Sequence, residues 1–238
     1  MIATAQQKKA FALPVLQSSV ARKLAVSVTG LFLILFLAVH LAVNLTMLAG
    51  AETYNAAAHW MGTTPAILAL RPVLALGLLL HVVISLLLAL DNSRARPTGY
   101  EKVDPAGGST WAARHPAVLG VLILLFLGLH LSSFSLRMTF GSPPMVEVAG
   151  VMMKDAYQLV TARFGLWWYV ALYAAAMLFL GLHLAHGFRS AFQTLGLSDR
   201  RWRRRWTVLG YLYSVAVAVG FAALPLYFFV TSQAMGAP

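Results

Sequence analysis

The chain has 238 residues, 60% of them hydrophobic and only 11% charged, with a mean hydropathy of +0.75. A soluble domain carries roughly 25% charged residues, so this composition excludes an ordinary soluble enzyme and a disordered chain. The lack of any cysteine also excludes a disulfide scaffold, a thiolate zinc site and an iron–sulfur cluster ligated by this chain.

The opening segment, MIATAQQKKAFALP, lacks the apolar core of a signal peptide. The first apolar run is therefore expected to be a retained helix. A helix crossing a bilayer needs about 20 apolar residues, and five stretches qualify: 24–47, 66–90, 116–136, 166–188 and 206–230. Their runs are continuous rather than alternating, which argues against a membrane barrel. The connection Leu48–Pro65 is short and polar. The loop Asp91–Arg114 is rich in Pro, Gly and charge and is expected to be a docking surface. Within Arg137–Gly165, residues Val148–Phe164 are expected to form a helix lying on the membrane. The fold expected is all-α, one domain of five transmembrane helices.

Charge orients that bundle. With the N-terminus inside the cell, 14 of the 18 Lys and Arg fall on the inner side: Lys8, Lys9, Arg22, Lys23, Arg94, Arg96, Lys102, Arg114, Arg189, Arg200, Arg201, Arg203, Arg204 and Arg205. Only Arg71, Arg137, Lys154 and Arg163 fall outside. The formal charge of +11 is thus chiefly a topology signal and an attraction for anionic lipid. Its densest cluster abuts a membrane span, so nucleic acid is not expected as a partner.

Seven histidines occur in this apolar chain. His59 lies in an outer connection and His115 at an inner helix end, where a solvated role suffices. His40, His81, His130, His183 and His186 lie inside spans, where ionisable side chains are rare and usually functional. His40 follows Lys23 by 17 residues and His130 follows Arg114 by 16, which puts both about 25 Å from the inner side. His81 precedes Asp91 by 10 residues and His183 precedes Arg189 by 6, which puts them about 9–15 Å from it. Four helices thus offer imidazoles in two layers, roughly 12 Å apart in depth. Such an arrangement suits two b-type haems, each iron taking one axial nitrogen from each of two facing helices. Hydrogen bonding between helices is the plainer use for a single buried His, but four in matching layers favour haem.

Gly30 and Gly120 each precede a ligand candidate by ten residues, Gly77 precedes His81 by four, and Gly187 follows His183 by four. Residues four apart share a helix face, so these glycines are expected to let a macrocycle approach the backbone, although glycine also serves helix packing in membranes. His183 and His186 are three apart and point about 60° away from one another. A metal site using both lacks an evident third ligand, and His186 is expected to be a supporting or propionate-contacting residue.

At these residues the chain resembles the diheme cytochrome b membrane subunit of succinate:quinone oxidoreductases, the single-polypeptide, five-helix kind of succinate dehydrogenases and fumarate reductases. The matching segments are SSVARKLAVSVTGLFLILFLAVHLAVNL, GLLLHVVISLLLAL, GVLILLFLGLHLSSF, KDAYQLV, YVALYAAAMLFLGLHLAHGFRSAFQTLGL and GFAALPLYFF. They cover nearly the full chain, and His183–Gly196 is the strongest part. The resemblance implies an H-x-x-x-G axial ligand at His183. It implies an outer haem at His40 and His130 and an inner haem at His81 and His183. It further implies propionate contacts at Arg163 and Ser27, and a quinone, menaquinone, reacting near the outer haem. For that quinone site the candidates are Arg71, His59, Tyr54 and Tyr157, with Glu52 beside them. The implied partners are a flavoprotein subunit and an iron–sulfur subunit on the cytoplasmic face of the cell membrane. Electrons from succinate would reach quinone through this subunit, with the flow reversed in fumarate reduction.

One departure stands out. Some menaquinol-oxidising relatives carry a Glu two residues before the fourth-helix ligand, where this chain has Gly181. No span holds a carboxylate in its middle, so that proton route is expected to be absent. The alternatives are a diheme cytochrome b of another quinone-linked oxidoreductase, such as a nitrate reductase or hydrogenase, and a haem-free transporter or structural anchor.

Overall fold

The structure, a computed structural model, describes residues 18–95 and 114–234. The loop expected to dock partners falls mostly in 96–113 and lies outside the described residues, as do Lys8, Lys9, Arg96 and Lys102. Among the described residues, five helices are long and apolar enough to cross a membrane, consistent with a multi-pass membrane protein.

Helix α1 spans Ser19–Leu45 and tightens into a 3-10 turn at Thr46–Ala49. Gly50, at φ 107°, ends it and starts α2, Ala51–Thr63. The connection read as a short polar loop is therefore itself mostly helical. Helix α3, Pro65–Arg94, opens on proline, a residue suited to a first helical turn because its missing N–H has no partner there anyway. Helix α4, Pro116–His130, opens the same way. It then widens into a π-helical turn at Leu131–Ser135 and closes as α5, Leu136–Phe140. Together these make one span. Such π turns insert extra backbone and often mark functional positions; this one begins directly after His130. Helices α6, Ala156–Phe164, α7, Trp167–Thr194, and α8, Arg203–Ala234, complete the described residues. Each span overruns its sequence-based bounds at one end at least, because polar residues extend the helices past their apolar stretches.

The surface helix expected over Val148–Phe164 is only half right. Its first part is an antiparallel hairpin, β1 Met145–Val148 and β2 Val151–Lys154, paired from Met145↔Lys154 to Val148↔Val151. The two-residue turn Ala149–Gly150 has positive φ at both positions, 50° and 80°, the geometry whose twist matches a hairpin. Only Ala156–Phe164 is helical.

Helix α7 packs against α8, α1 and α4, and α1 also packs against α3. Three glycines allow the closest approaches to α8, among them Gly210, whose Cβ would lie 3.0 Å from Phe188. A Cβ at Gly181 would lie 2.9 Å from that of Ala218, and one at Gly220 would lie 3.0 Å from Leu41. One end of the molecule carries α2, the hairpin and α6, and is called the hairpin end below. The other, the arginine end, carries Arg22, Arg94, Arg114, Arg189 and Arg200–Arg205. There an Arg22–Asp91 ion pair ties the start of α1 to the end of α3.

The best-packed core lies at the hairpin end, where Met47, Tyr54, Val160, Phe164, Tyr169, Tyr173, Leu224 and Phe228 are buried together. A polar clamp closes it. Asn55, 1% exposed, donates to Asp155 Oδ1 at 3.0 Å and accepts from the backbone N–H of Tyr157 at 2.9 Å. The same Asp155 oxygen caps α6 by accepting from Gln158 N at 2.9 Å. One buried amide thus joins α2 to α6 and satisfies helix-end groups that would otherwise lack partners.

Candidate functional site

The spans bring the four histidines together in pairs. The His40 and His130 rings lie 5.8 Å apart, centre to centre, with their planes at 90°. The His81 and His183 rings lie 6.4 Å apart with planes at 84°. Two imidazoles bound through nitrogen to opposite sides of one metal ion have centres about 6 Å apart, given metal–nitrogen bonds of about 2.0–2.1 Å. His81 packs beside Thr29 and Gly30 of α1, and His40 lies ten residues further along that helix. The pairs are therefore separated by roughly 15 Å along α1.

The pairs differ in their surroundings. Around His40 and His130 stand Phe36, Phe126, Phe134 and Phe221, with ring centres at 5.2–5.9 Å from one or other imidazole. Tyr173 Oη lies 2.9 Å from His130 Nδ1, and Tyr169 extends that contact by donating to Tyr173 at 3.5 Å. The neighbour of His40 Nδ1 is a donor, Asn44 Nδ2, at 3.4 Å, and that amide already donates to the His40 carbonyl at 2.8 Å. At this distance the contact is too weak to fix a tautomer.

His81 Nδ1 faces two acceptors, the Val26 carbonyl and Thr29 Oγ1, each 3.3 Å away. A carbonyl only accepts, and the Thr29 hydroxyl spends its own proton on the Ala25 carbonyl at 2.7 Å. A proton on His81 Nδ1 suits both neighbours and leaves the Nε2 lone pair free for a metal. Among the described residues His186 joins no ring pair, and its Nδ1 is buried without a hydrogen-bond partner.

The haems implied by the resemblance can be tested against these donor sets. Each pair offers two nitrogens, and no third His, Cys, Asp or Glu joins them among the described residues. A bare ion would lack most of its ligands, whereas a macrocycle brings four nitrogens of its own, so two-ligand pairs fit haem. The glycines fit in part. A Cβ at Gly120 or Gly187 would meet nothing within 4 Å, which leaves room beside His183 one turn away. Gly30 and Gly77 serve other neighbours: their Cβ atoms would lie 3.2 Å from the His81 ring and 3.2 Å from Phe32. Gly30 thus seats an imidazole, and the clearance expected there for a macrocycle is taken by protein.

Of the quinone candidates, Tyr54 and Tyr157 come together, with ring centres 6.4 Å apart, and Tyr157 packs on Phe228 at 5.7 Å. Burial pushes the Tyr54 hydroxyl up to about 12. Tyr157 is raised by desolvation and then by Tyr227. Both are neutral donors near pH 7. Arg71 is exposed and reaches back to the Met61 carbonyl at the end of α2, 3.4 Å away. His59 is half-buried on α2 and Glu52 exposed in its first turn. Ser27 is buried on α1, at 7% exposure, and Arg163 is half-buried in the last turn of α6. Among the described residues neither Ser27 nor Arg163 hydrogen-bonds to a histidine. Sequence reasoning missed Tyr173, Thr29 and the Asn55 clamp. Asn44 alone carried a local signal, four residues after His40 on the same helix face.

Compared with models of known families, with characterised proteins and with solved structures, the chain matches none.

Proposed function

We propose that the chain is the diheme cytochrome b anchor of a succinate:quinone oxidoreductase, carrying electrons between an iron–sulfur partner subunit and membrane menaquinone. The observation that carries this reading is the pair of two-imidazole sites on four spans, with ring centres 5.8 and 6.4 Å apart and near-perpendicular planes. Haem iron held there supplies reversible one-electron transfer. His40 and His130 would hold one haem, and His81 and His183 the other. His81 is prepared for this by its Val26 and Thr29 contacts, which present Nε2 outward.

The arginine end is assigned to the cytoplasm by the positive-inside rule, with the flavoprotein and iron–sulfur subunits docked there. Quinone is assigned to the hairpin end, where the neutral Tyr54 and Tyr157 hydroxyls, with His59 and Arg71 nearby, can donate hydrogen bonds to its oxygens. Proton exchange with the quinone is assigned to the same side. Gly181 is packed so tightly on Ala218 that a carboxylate at that position would push α8 away, so the particular proton route that uses a Glu there has no place in this reading.

The test is a reduced-minus-oxidised spectrum of the purified complex. Two b-type α-bands that titrate at separate potentials are expected, both reduced by succinate. No haem signal would overturn the reading. Haem that succinate leaves oxidised would point instead to a cytochrome of another quinone-linked oxidoreductase.

A further inference from the structure

The start of α8 is built for something the electron path does not use. Five arginines, Arg200, Arg201 and Arg203–Arg205, flank Trp202, and none of the five forms an ion pair among the described residues. The turn that carries them is rigidly made. Asp199 Oδ1 accepts from the Trp202 backbone N–H at 2.7 Å, and the Trp206 indole donates to the Leu197 carbonyl at 2.9 Å. Trp206 stacks on Phe192 of α7 with ring centres 3.9 Å apart, and on Trp202 at 5.5 Å. Arg205 in turn lies over the Trp202 ring, its Cζ 4.8 Å from the centre, within the range of a cation–π contact. Arg205 is thereby held beside a surface cleft of about 380 Å³ lined by Trp202, Arg204, Arg205, Val208 and Leu209.

The cleft is two-sided in its chemistry. Two of its residues, Arg204 and Arg205, carry charge, and Val208 and Leu209, 48% and 47% exposed, follow them by four residues and so share their helix face. Guanidinium forks match phosphate oxygens in a bidentate way. An aliphatic strip directly below them suits an acyl chain and is of no use to a free phosphate or to an acidic protein. We infer that this cleft binds one anionic phospholipid, its phosphodiester between Arg204 and Arg205 and the upper part of a chain along Val208 and Leu209.

The probe is phosphatidylglycerol, titrated onto the delipidated full chain in zwitterionic detergent and counted by native mass spectrometry, with phosphatidylcholine as reference. Wild type is expected to retain one phosphatidylglycerol at least several-fold more tightly than phosphatidylcholine. The double variant R204Q/R205Q is expected to lose that preference. R200Q/R201Q removes the same charge away from the cleft and is expected to keep it. Helix content by circular dichroism confirms that each variant is folded; if R204Q/R205Q is not, V208Q/L209Q, expected to lose the preference through the aliphatic strip, takes its place. Equal losses in both arginine variants would reduce the site to diffuse charge and overturn the proposal. So would competition by inorganic phosphate or glycerol phosphate as effective as that of the lipid. Loss of a protein partner from R204Q/R205Q with lipid retention unchanged would also overturn it, by showing a protein-docking face.

Discussion

Around His40 and His130 the neighbours are phenyl rings and a tyrosine hydroxyl, packed against the molecule's main core. Around His81 they are a backbone carbonyl, a threonine and a glycine. The first pair is held in position by ring packing and by the Tyr173 hydroxyl, 2.9 Å from His130 Nδ1. The second is held by hydrogen bonding that suits one protonation pattern of His81. A buried polar group costs energy unless it is satisfied, so the carbonyl that orients His81 serves stability and site geometry together. The two ends of the bundle therefore keep their imidazoles in place by different means, and substitutions should separate them.

The largest effect is expected from the ligands themselves. On the proposed diheme reading, His183→Ala should remove the haem of the arginine-end pair and leave the other, so haem content by pyridine haemochrome halves. His186→Ala should leave both in place. If two haems persist without His183, the pairing seen here does not hold the cofactor.

Next in size is the clamp. Asn55→Ala leaves Asp155 and the Tyr157 N–H short of a buried partner, at a cost of about 2–3 kcal/mol. A lower melting temperature in detergent is expected, with the hairpin-end haem perturbed first. An unchanged melting curve would mean that apolar packing alone closes this end.

What the sequence disclosed and what it hid follow the same division. The spans were legible because twenty apolar residues in a row have few other uses. The depth layers were legible because a helix converts spacing into distance at 1.5 Å per residue, and the structure brings His40 to His130 and His81 to His183. Contacts between distant segments were not legible. Tyr173 is 43 residues from His130, and Asn55 is 100 from Asp155, with no periodicity to link them. The hairpin was hidden because four-residue strands in a mixed polar segment carry too little pattern to outvote a helix. The π turn after His130 was hidden because no residue type demands it.

A comparable but conditional effect should appear at high pH. Tyr54 titrates near 12 in the folded chain against about 10 when unfolded, so the folded state binds the proton more tightly. Burial thus penalises the phenolate: stability is untouched below pH 10 and falls by up to about 2–3 kcal/mol as the pH rises towards 12. Tyr54→Phe should flatten the alkaline fall in melting temperature while leaving the neutral value little changed. A slope identical to that of wild type would mean that the hydroxyl meets water.

The smallest effects sharpen the comparison most. If His130 binds a metal through Nε2, its Nδ1–H donates to Tyr173, and that donation makes the ligand more electron-rich and favours the oxidised metal. Tyr173→Phe should then raise one midpoint potential, with the other unmoved, by an amount matching about 1 kcal/mol, roughly 40 mV for one electron. Thr29→Val is the partner experiment at the other end. It removes one of the two acceptors on His81 Nδ1 but leaves the Val26 carbonyl, so the arginine-end potential should rise by less than in the first case. Redox titration of the α-bands in both variants separates the outcomes. A larger shift from Thr29→Val than from Tyr173→Phe would mean that the backbone carbonyl does not hold His81, and the contrast between the two pairs would fall with it.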